Sequence, residues 1–156
     1  DIYPYDGLGT TEKEAVTYGM KGDRLSSLCY QSTREHFAIE TTTSLFRKII
    51  KYPIFIGSKL MGKDYFQKKL NQLVELKEYE DSNYIGCVVW LSGGKKEIFL
   101  RKWFDETVMV PFEKYQFRVP KDYDEVLRHT YGDYMQLPPE KDRIGHHYFK
   151  AYRKDE

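Results

Sequence analysis

Hydrophobic and polar positions in the first third of the chain predict two helices after an extended start. The opening DIYPYDGLG is expected to be extended and to end in a turn at Gly7 and Gly9. A short helix is expected from Thr11 to Tyr18. A longer one is expected from about Thr33 to Lys51, where apolar residues recur at helical intervals after the S-x-x-E spacing of a capping box.

A further helix is predicted beyond Pro53 and Gly57, which are expected to interrupt the second one. Ser58 is expected to open it, and its apolar positions form one stripe: Met61, Phe66, Leu70, Leu73 and Leu76. These two long helices are expected to pack as an antiparallel pair. The basic and apolar segment from Leu45 to Leu60 has an alternative interpretation, which is that it lies on an anionic membrane surface.

The pattern after Glu80 changes from helical to β-type. A first hairpin is predicted from Tyr84–Leu91 and Glu97–Leu100, joined by a turn at Ser92–Lys95. A second is predicted from Thr107–Phe112 and Tyr115–Val119, although its turn lacks the usual glycine. We expect both hairpins to belong to one small antiparallel sheet.

The last predicted element is a helix that follows Pro120. Asp122 and Glu125 have the spacing of a cap, and Gly132 stands where a glycine commonly ends a helix. The chain is therefore expected to form one α+β domain over residues 1–156, mainly helical over 1–80 and built from hairpins plus a helix over 81–150.

Composition and charge exclude several classes of function. The 25 Lys and Arg residues nearly balance 24 Asp and Glu, so the net charge of +1 argues against a general nucleic-acid binder. The two cysteines form no disulfide framework or four-cysteine zinc site, which suits a reducing cytoplasmic compartment. The 14 tyrosines suit choline-like, sugar or base ligands, or else a tyrosine-rich core and surface.

Few residues suggest chemistry by themselves, because no phosphate-binding glycine loop or hydrolase motif is present. Asp1 is a candidate Mg²⁺ ligand, or else a solvated acid. Lys95 and Lys96 are candidates to hold a diphosphate, or else a solvated hairpin tip. The adjacent His146 and His147 point apart and cannot chelate one metal ion together, but one of them is a candidate phosphate ligand or proton carrier.

Two motifs at the ends of the chain resemble the LicD family. The opening DIYPYDGLG is similar to its strand-and-turn motif, and VPKDYDEVLRHTYGDYMQLPPEKDRIGHH is similar to its C-terminal signature. The segment from Tyr84 to Phe112 also fits the family. The resemblance covers nearly the whole chain, as a C-terminal portion that lacks the family's first part.

This resemblance implies a nucleotidyltransferase-like enzyme. Such an enzyme transfers phosphocholine, or a related phosphoalcohol, from a CDP-choline-like donor to a cell-surface glycan of teichoic acid or lipopolysaccharide, with Mg²⁺ as cofactor. Asp1 would be the third catalytic carboxylate and metal ligand. The pocket for donor or acceptor would include Tyr131, Gly132, Asp133 and His146 or His147.

The same resemblance places two further catalytic aspartates upstream of Asp1. Because several carboxylates are needed to hold the metal ion, we expect this chain alone to be inactive and turnover to need the preceding part of a longer protein. The enzyme would be cytoplasmic, with possible peripheral contact at the inner face of the membrane. The alternative function is a non-catalytic module that binds glycans or a membrane surface.

Overall fold

The computed structural model describes residues 3–37, 44–91, 94–137, 139–140 and 143. The four helices of these residues are α1 (Glu12–Thr33), α2 (Leu45–Met61), α3 (Lys63–Val74) and α4 (Tyr123–Tyr131). Their strands are β1 (Asp6–Gly9), β2 (Tyr84–Gly86), β3 (Phe99–Leu100), β4 (Thr107–Phe112) and β5 (Tyr115–Pro120). The α+β class predicted from the sequence is confirmed.

The first helix is much longer than the sequence pattern predicts. Thr11 is its cap, because the Thr11 hydroxyl accepts a hydrogen bond from the Glu14 amide at 3.3 Å. The Glu14 carboxylate in turn accepts a bond from the Thr10 amide at 3.0 Å and pairs with Lys77. These bonds hold the pKa of Glu14 below its usual value, with Lys77 as the largest cause. From this cap α1 continues for 22 residues rather than ending at Tyr18.

Two glycines inside α1 let another part of the chain lie directly on the helix. A Cβ added at Gly22 would be 2.2 Å from the carbonyl oxygen of Val88, and one added at Gly19 would be 2.5 Å from Leu91. The Ser26 hydroxyl also donates to the carbonyl of Val89 at 2.6 Å. Residues 87–91 therefore pack against α1 instead of extending β2.

The core forms where α1, α3 and this segment meet. Tyr18 on α1 donates a hydrogen bond to the carbonyl of Leu73 on α3. The buried cluster consists of Leu8, Ala15, Leu73, Val88, Leu91 and Ile98. Burial of several such side chains contributes about 1.5–3 kcal/mol each, which makes this cluster the main stabilising contact of the domain.

The hairpins belong to two sheets rather than one. In the first sheet β2 lies between β1 and β3, and both pairings are antiparallel. The predicted turn at Gly7 and Gly9 is wrong, since both residues lie in β1. The predicted strand Tyr84–Leu91 ends early, because the chain turns at Cys87, whose carbonyl accepts from the amide of Trp90 at 3.1 Å.

The second predicted hairpin is confirmed as a separate sheet. Thr107 pairs with Pro120 at one end and Phe112 with Tyr115 at the other. The missing glycine of its turn is replaced by Glu113, which adopts a φ of 53°. A non-glycine residue is uncommon in this conformation. Because Glu113 occupies the position where a glycine is usual, the turn has no glycine signature in the sequence.

The two long helices predicted for residues 33–76 have other boundaries. α1 ends at Thr33, and α2 runs through both Pro53 and Gly57 to Met61, so the predicted helix over 33–51 and the predicted start at Ser58 are wrong. Proline lacks an N–H group, but the rest of the helix keeps its hydrogen bonds and its packing on α1. α1 packs against both α2 and α3.

The predicted apolar stripe of the third helix is correct in its middle only. Phe66, Leu70 and Leu73 of α3 are buried, whereas Met61 and Leu76 are exposed at either end. The stripe is the face of α3 that packs towards α1 and the core.

The predicted C-terminal helix is confirmed as α4, with Gly132 at its end and a φ of 71°. Asp122 stands at the N-cap as predicted, but its side chain makes no cap hydrogen bond. Asp124 instead accepts bonds from Arg128 at 2.7 Å and from the Tyr134 hydroxyl at 2.5 Å, and both lower the pKa of its carboxyl.

Within the described ranges, no helix is both long enough and apolar enough to cross a membrane. Cys29 and Cys87 are both free thiols.

The close packing of α1 on Val88 predicts opposite effects of alanine at two helical glycines. Gly22→Ala should lower the free energy of unfolding by about 1–3 kcal/mol, because the new methyl group overlaps backbone atoms. Gly57→Ala on α2 is the matched control, since no atom lies within 4 Å of its added Cβ, and it should raise that free energy by about 0.5–1 kcal/mol. Urea denaturation measures both, and equal effects of the two substitutions would contradict the packing.

Candidate functional site

Two clefts share the short segment Gly94–Phe99 in their walls. This segment consists of a 3₁₀ turn, Gly94–Glu97, that leads into β3. Glu97 and Phe99 face one cleft, whereas Lys95, Lys96 and Ile98 face the other. α4 contributes to both clefts, so the helix and the segment together form the centre of the candidate site.

The aromatic cleft is a cavity of about 390 Å³. We name it for the aromatic side chains in its walls. Its lining includes Tyr3, Tyr5, Trp90, Glu97, Phe99 and Tyr131. Val126 and Leu127 of α4 add an aliphatic surface. A cavity of this size with apolar walls and few polar groups is typical of a small-molecule site.

Ring contacts fix the inner wall of the aromatic cleft. Phe99 is buried in β3, and the Tyr5 ring stacks on it with 5.4 Å between the ring centroids. Phe104 contacts the Tyr5 ring edge-on at 5.5 Å. Trp90 and Tyr131 are 57% and 70% exposed, so they stand at the open mouth of the cleft. Their rings are free to cover a ligand that binds there.

Burial sets the charge state of this cleft. It raises the pKa of Tyr5, and Cys87, Glu97 and Tyr131 nearby raise it further. Burial also raises the pKa of the Cys87 thiol. Both groups therefore stay uncharged at neutral pH, and the carboxyl group of the cleft is that of Glu97. Aromatic faces with one carboxyl group favour a cationic ligand.

The basic cleft is a cavity of about 330 Å³ that contains both lysines of the predicted diphosphate site. Lys95 forms an exposed ion pair with Glu12 at 3.3 Å. Nε2 of His129 donates to the carbonyl of Lys95 at 3.1 Å, which ties α4 to the 3₁₀ turn. Trp103 contacts the His129 ring with 5.6 Å between the ring centroids.

The structure does not bring together in one place the predicted site residues that it describes. Lys95 and Lys96 lie in a 3₁₀ turn rather than at a hairpin tip, since His129 holds the turn against α4. Tyr131 lines the other cleft, so it is not brought together with the lysines. Gly132 and Asp133 lie just beyond α4 and line neither cleft. Asp1, His146 and His147 lie outside the described residues.

Several residues of the clefts were not predicted. Tyr5, Trp90 and Glu97 come from distant parts of the chain, and His129 is a single histidine on a helix. The aromatic composition was the one signal that pointed towards this kind of site.

Among the described residues, no three His, Cys, Asp or Glu side chains are grouped so that they could hold a metal ion. Mg²⁺ keeps several of its waters and is often held by one or two carboxylates, so this finding does not test Asp1, which lies outside the described residues.

The chain is similar to one characterised enzyme over almost all of its length. It is 32% identical over 154 residues to the lipopolysaccharide cholinephosphotransferase LicD of Haemophilus influenzae. The alignment covers 97% of this chain but 56% of the relative, so the chain spans little more than half of the relative's length. No protein-family model matches the chain, and no solved structure matches it.

Proposed function

Because this chain is related to the LicD family, we propose that it is part of a longer phosphotransferase that transfers phosphocholine. The donor is a CDP-choline-like nucleotide and the acceptor is a cell-surface glycan. This chain binds and orients the donor, and the carboxylates that complete a Mg²⁺ site with Asp1 come from the rest of the protein. The complete catalytic domain has a nucleotidyltransferase-like fold.

The aromatic cleft is the observation that carries this proposal. A trimethylammonium group cannot donate hydrogen bonds, so proteins hold it mainly through the faces of aromatic rings. Tyr5, Trp90 and Tyr131 offer such rings around one cavity, and Glu97 adds a carboxyl group. The cleft therefore suits the choline end of the transferred group.

The basic cleft complements the aromatic one. Phosphates of the donor carry negative charge, and the exposed Lys95 and Lys96 belong to the same 3₁₀ turn as Glu97. Lysine acts on phosphate as a mobile point charge, so exposed side chains suit this role. We assign Tyr131 to the choline end and retain Gly132, Asp133, His146 and His147 as candidate pocket residues near the acceptor.

Phosphoryl transfer depends chiefly on positioning the reacting groups and on offsetting their charge. The Tyr5 ring, which stacks on Phe99, fixes the choline end of the donor. The ring of Trp90 shields that end from water. The chain thereby supplies orientation and selectivity for the transferred group, whereas the metal-binding carboxylates are completed elsewhere.

A binding experiment tests the role of the aromatic cleft. Phosphocholine should bind the chain more tightly than phosphoethanolamine, which lacks the three methyl groups. Tyr131→Ala should weaken phosphocholine binding by about 3- to 30-fold, since a cation–π contact contributes about 0.5–2 kcal/mol. Isothermal titration calorimetry measures these affinities. Tyr131 is exposed, so its loss leaves no core cavity.

Tyr115→Ala is the matched control, because Tyr115 is an exposed tyrosine on the distant β4–β5 hairpin. It should bind phosphocholine as the unaltered chain does. If the two variants bind equally well, or if both ligands bind with equal affinity, the aromatic cleft is not the choline site.

An activity measurement tests the role of Asp1 in a longer protein that contains this chain. Asp1→Ala should lower the transfer of phosphocholine from CDP-choline by at least 100-fold, because a metal ligand is lost. Asp81→Ala, at an exposed loop aspartate, is the control and should keep the original rate. The same activity in the Asp1 variant would contradict the metal role, and full activity of the 156-residue chain alone would contradict its dependence on other carboxylates.

A non-catalytic binding module is the alternative function. It predicts the same phosphocholine affinity but no transfer by the longer protein, with or without Mg²⁺. The activity measurement therefore separates the two functions, whereas the binding measurement tests the cleft that they share.

A further inference from the structure

The outer face of α2 exposes several large apolar side chains. We use this name for the side of the helix formed by Leu45, Phe46, Ile49, Ile50, Ile56 and Leu60. All six are exposed, from 39% at Ile56 to 84% at Leu60. A helix of a globular protein normally turns its apolar stripe towards the core, so this orientation requires a physical reason.

The packing of α2 shows that its outer face is not needed to hold the helix in place. α2 contacts the body of the domain through its opposite side, where Phe55 and Ser58 are buried. The Phe55 ring meets Phe37 with 5.8 Å between the ring centroids. The Ser58 hydroxyl donates to the carbonyl of Phe55 at 2.7 Å, which satisfies this buried polar group within the helix.

Cations border the outer face on both sides. At 100° per residue, Arg47 lies beyond one edge of the apolar surface and Lys48 and Lys59 lie beyond the other, whereas Lys51 is on the side opposite its centre. α2 contains no acidic residue between Leu45 and Met61. The charge of the helix is therefore uniformly positive, although the whole chain is almost neutral at +1.

From these observations we propose that α2 docks onto an anionic phospholipid bilayer. The helix lies in the plane of the interface, with its outer face in the boundary between head groups and acyl chains. The three flanking cations, Arg47, Lys48 and Lys59, contact lipid phosphates, since long basic side chains extend from an apolar surface to the polar layer. The 17 residues give a contact about 25 Å long.

Charge favours a bilayer over a second copy of this chain. A two-fold symmetric dimer would bring the same three flanking cations of each copy together around one interface, with no carboxylate on α2 to offset them. The cores of protein interfaces are also depleted in lysine. An anionic membrane has the complementary charge and the apolar layer that this face requires. The inference does not depend on the proposed transferase activity.

Vesicle co-sedimentation of the 156-residue chain tests the proposal. The chain should sediment with vesicles of phosphatidylcholine and phosphatidylglycerol at a ratio of 7:3, and not with pure phosphatidylcholine. Raising the salt concentration should weaken the binding, because the flanking charges are screened.

Two pairs of substitutions separate the apolar and cationic contributions. Phe46→Ser with Leu60→Ser should lower the partition coefficient at least tenfold, because both side chains are exposed and would otherwise enter the lipid. Arg47→Gln with Lys48→Gln should lower it about 10- to 30-fold, because one flanking cation is lost on each side of the outer face. Circular dichroism checks that both variants keep the helical signal of the unaltered chain.

Phe112→Ser with Phe117→Ser is the matched control, since these exposed aromatic residues lie on the β4–β5 hairpin. It should bind the vesicles as the unaltered chain does. Three results would each overturn the proposal: equal binding to neutral vesicles, full binding by both α2 variants, or a dimer in light scattering that the serine pair dissociates.

Discussion

The contact between α1 and residues 87–91 is the constraint on which the rest of the described structure depends. It exists because Gly19 and Gly22 leave room for a backbone that lies directly on the helix. Once the chain turns there, Val88 and Leu91 point into the core, whereas Cys87 and Trp90 line the aromatic cleft. One packing contact therefore determines both the stability of the domain and the shape of its candidate site.

The walls of the aromatic cleft come from regions far apart in the sequence, and two features bring them together. β2 joins β1 to β3, so Tyr5 just before β1 comes to lie on Phe99. The hydrogen bond from His129 to Lys95 attaches α4 to the same segment. The result is a binding surface whose inner part is rigid and whose mouth is open. Under the proposed function, this arrangement orients the choline end of the donor, and a short ethylene–oxygen linker joins that end to the reacting phosphate.

The sequence predicted the elements whose signals are local. The β4–β5 hairpin and α4 have clear alternation, periodicity and end signals, and both are confirmed. Glycine and proline misled the prediction in the helices. Pro53 and Gly57 were expected to interrupt a helix, but both lie inside α2. Such residues cannot be interpreted until their neighbours in space are known.

The candidate site was predictable in part only. Lys95 and Lys96 stood out as adjacent cations, and Tyr131 stood out through the family resemblance. Tyr5 and Trp90 were not predicted, because their roles depend on pairing between β1 and β2 and on the turn at Cys87. These are long-range contacts that no local pattern encodes. The roles of Asp1, His146 and His147 stay predictions.

The central claim is that the aromatic cleft holds a quaternary ammonium group, and nuclear Overhauser measurements on the chain with phosphocholine test it most directly. The account predicts cross-peaks from the methyl protons of phosphocholine to the ring protons of Tyr5, Trp90 and Tyr131. Cross-peaks to Trp103 and His129 of the basic cleft instead, or none at saturating phosphocholine, would contradict it.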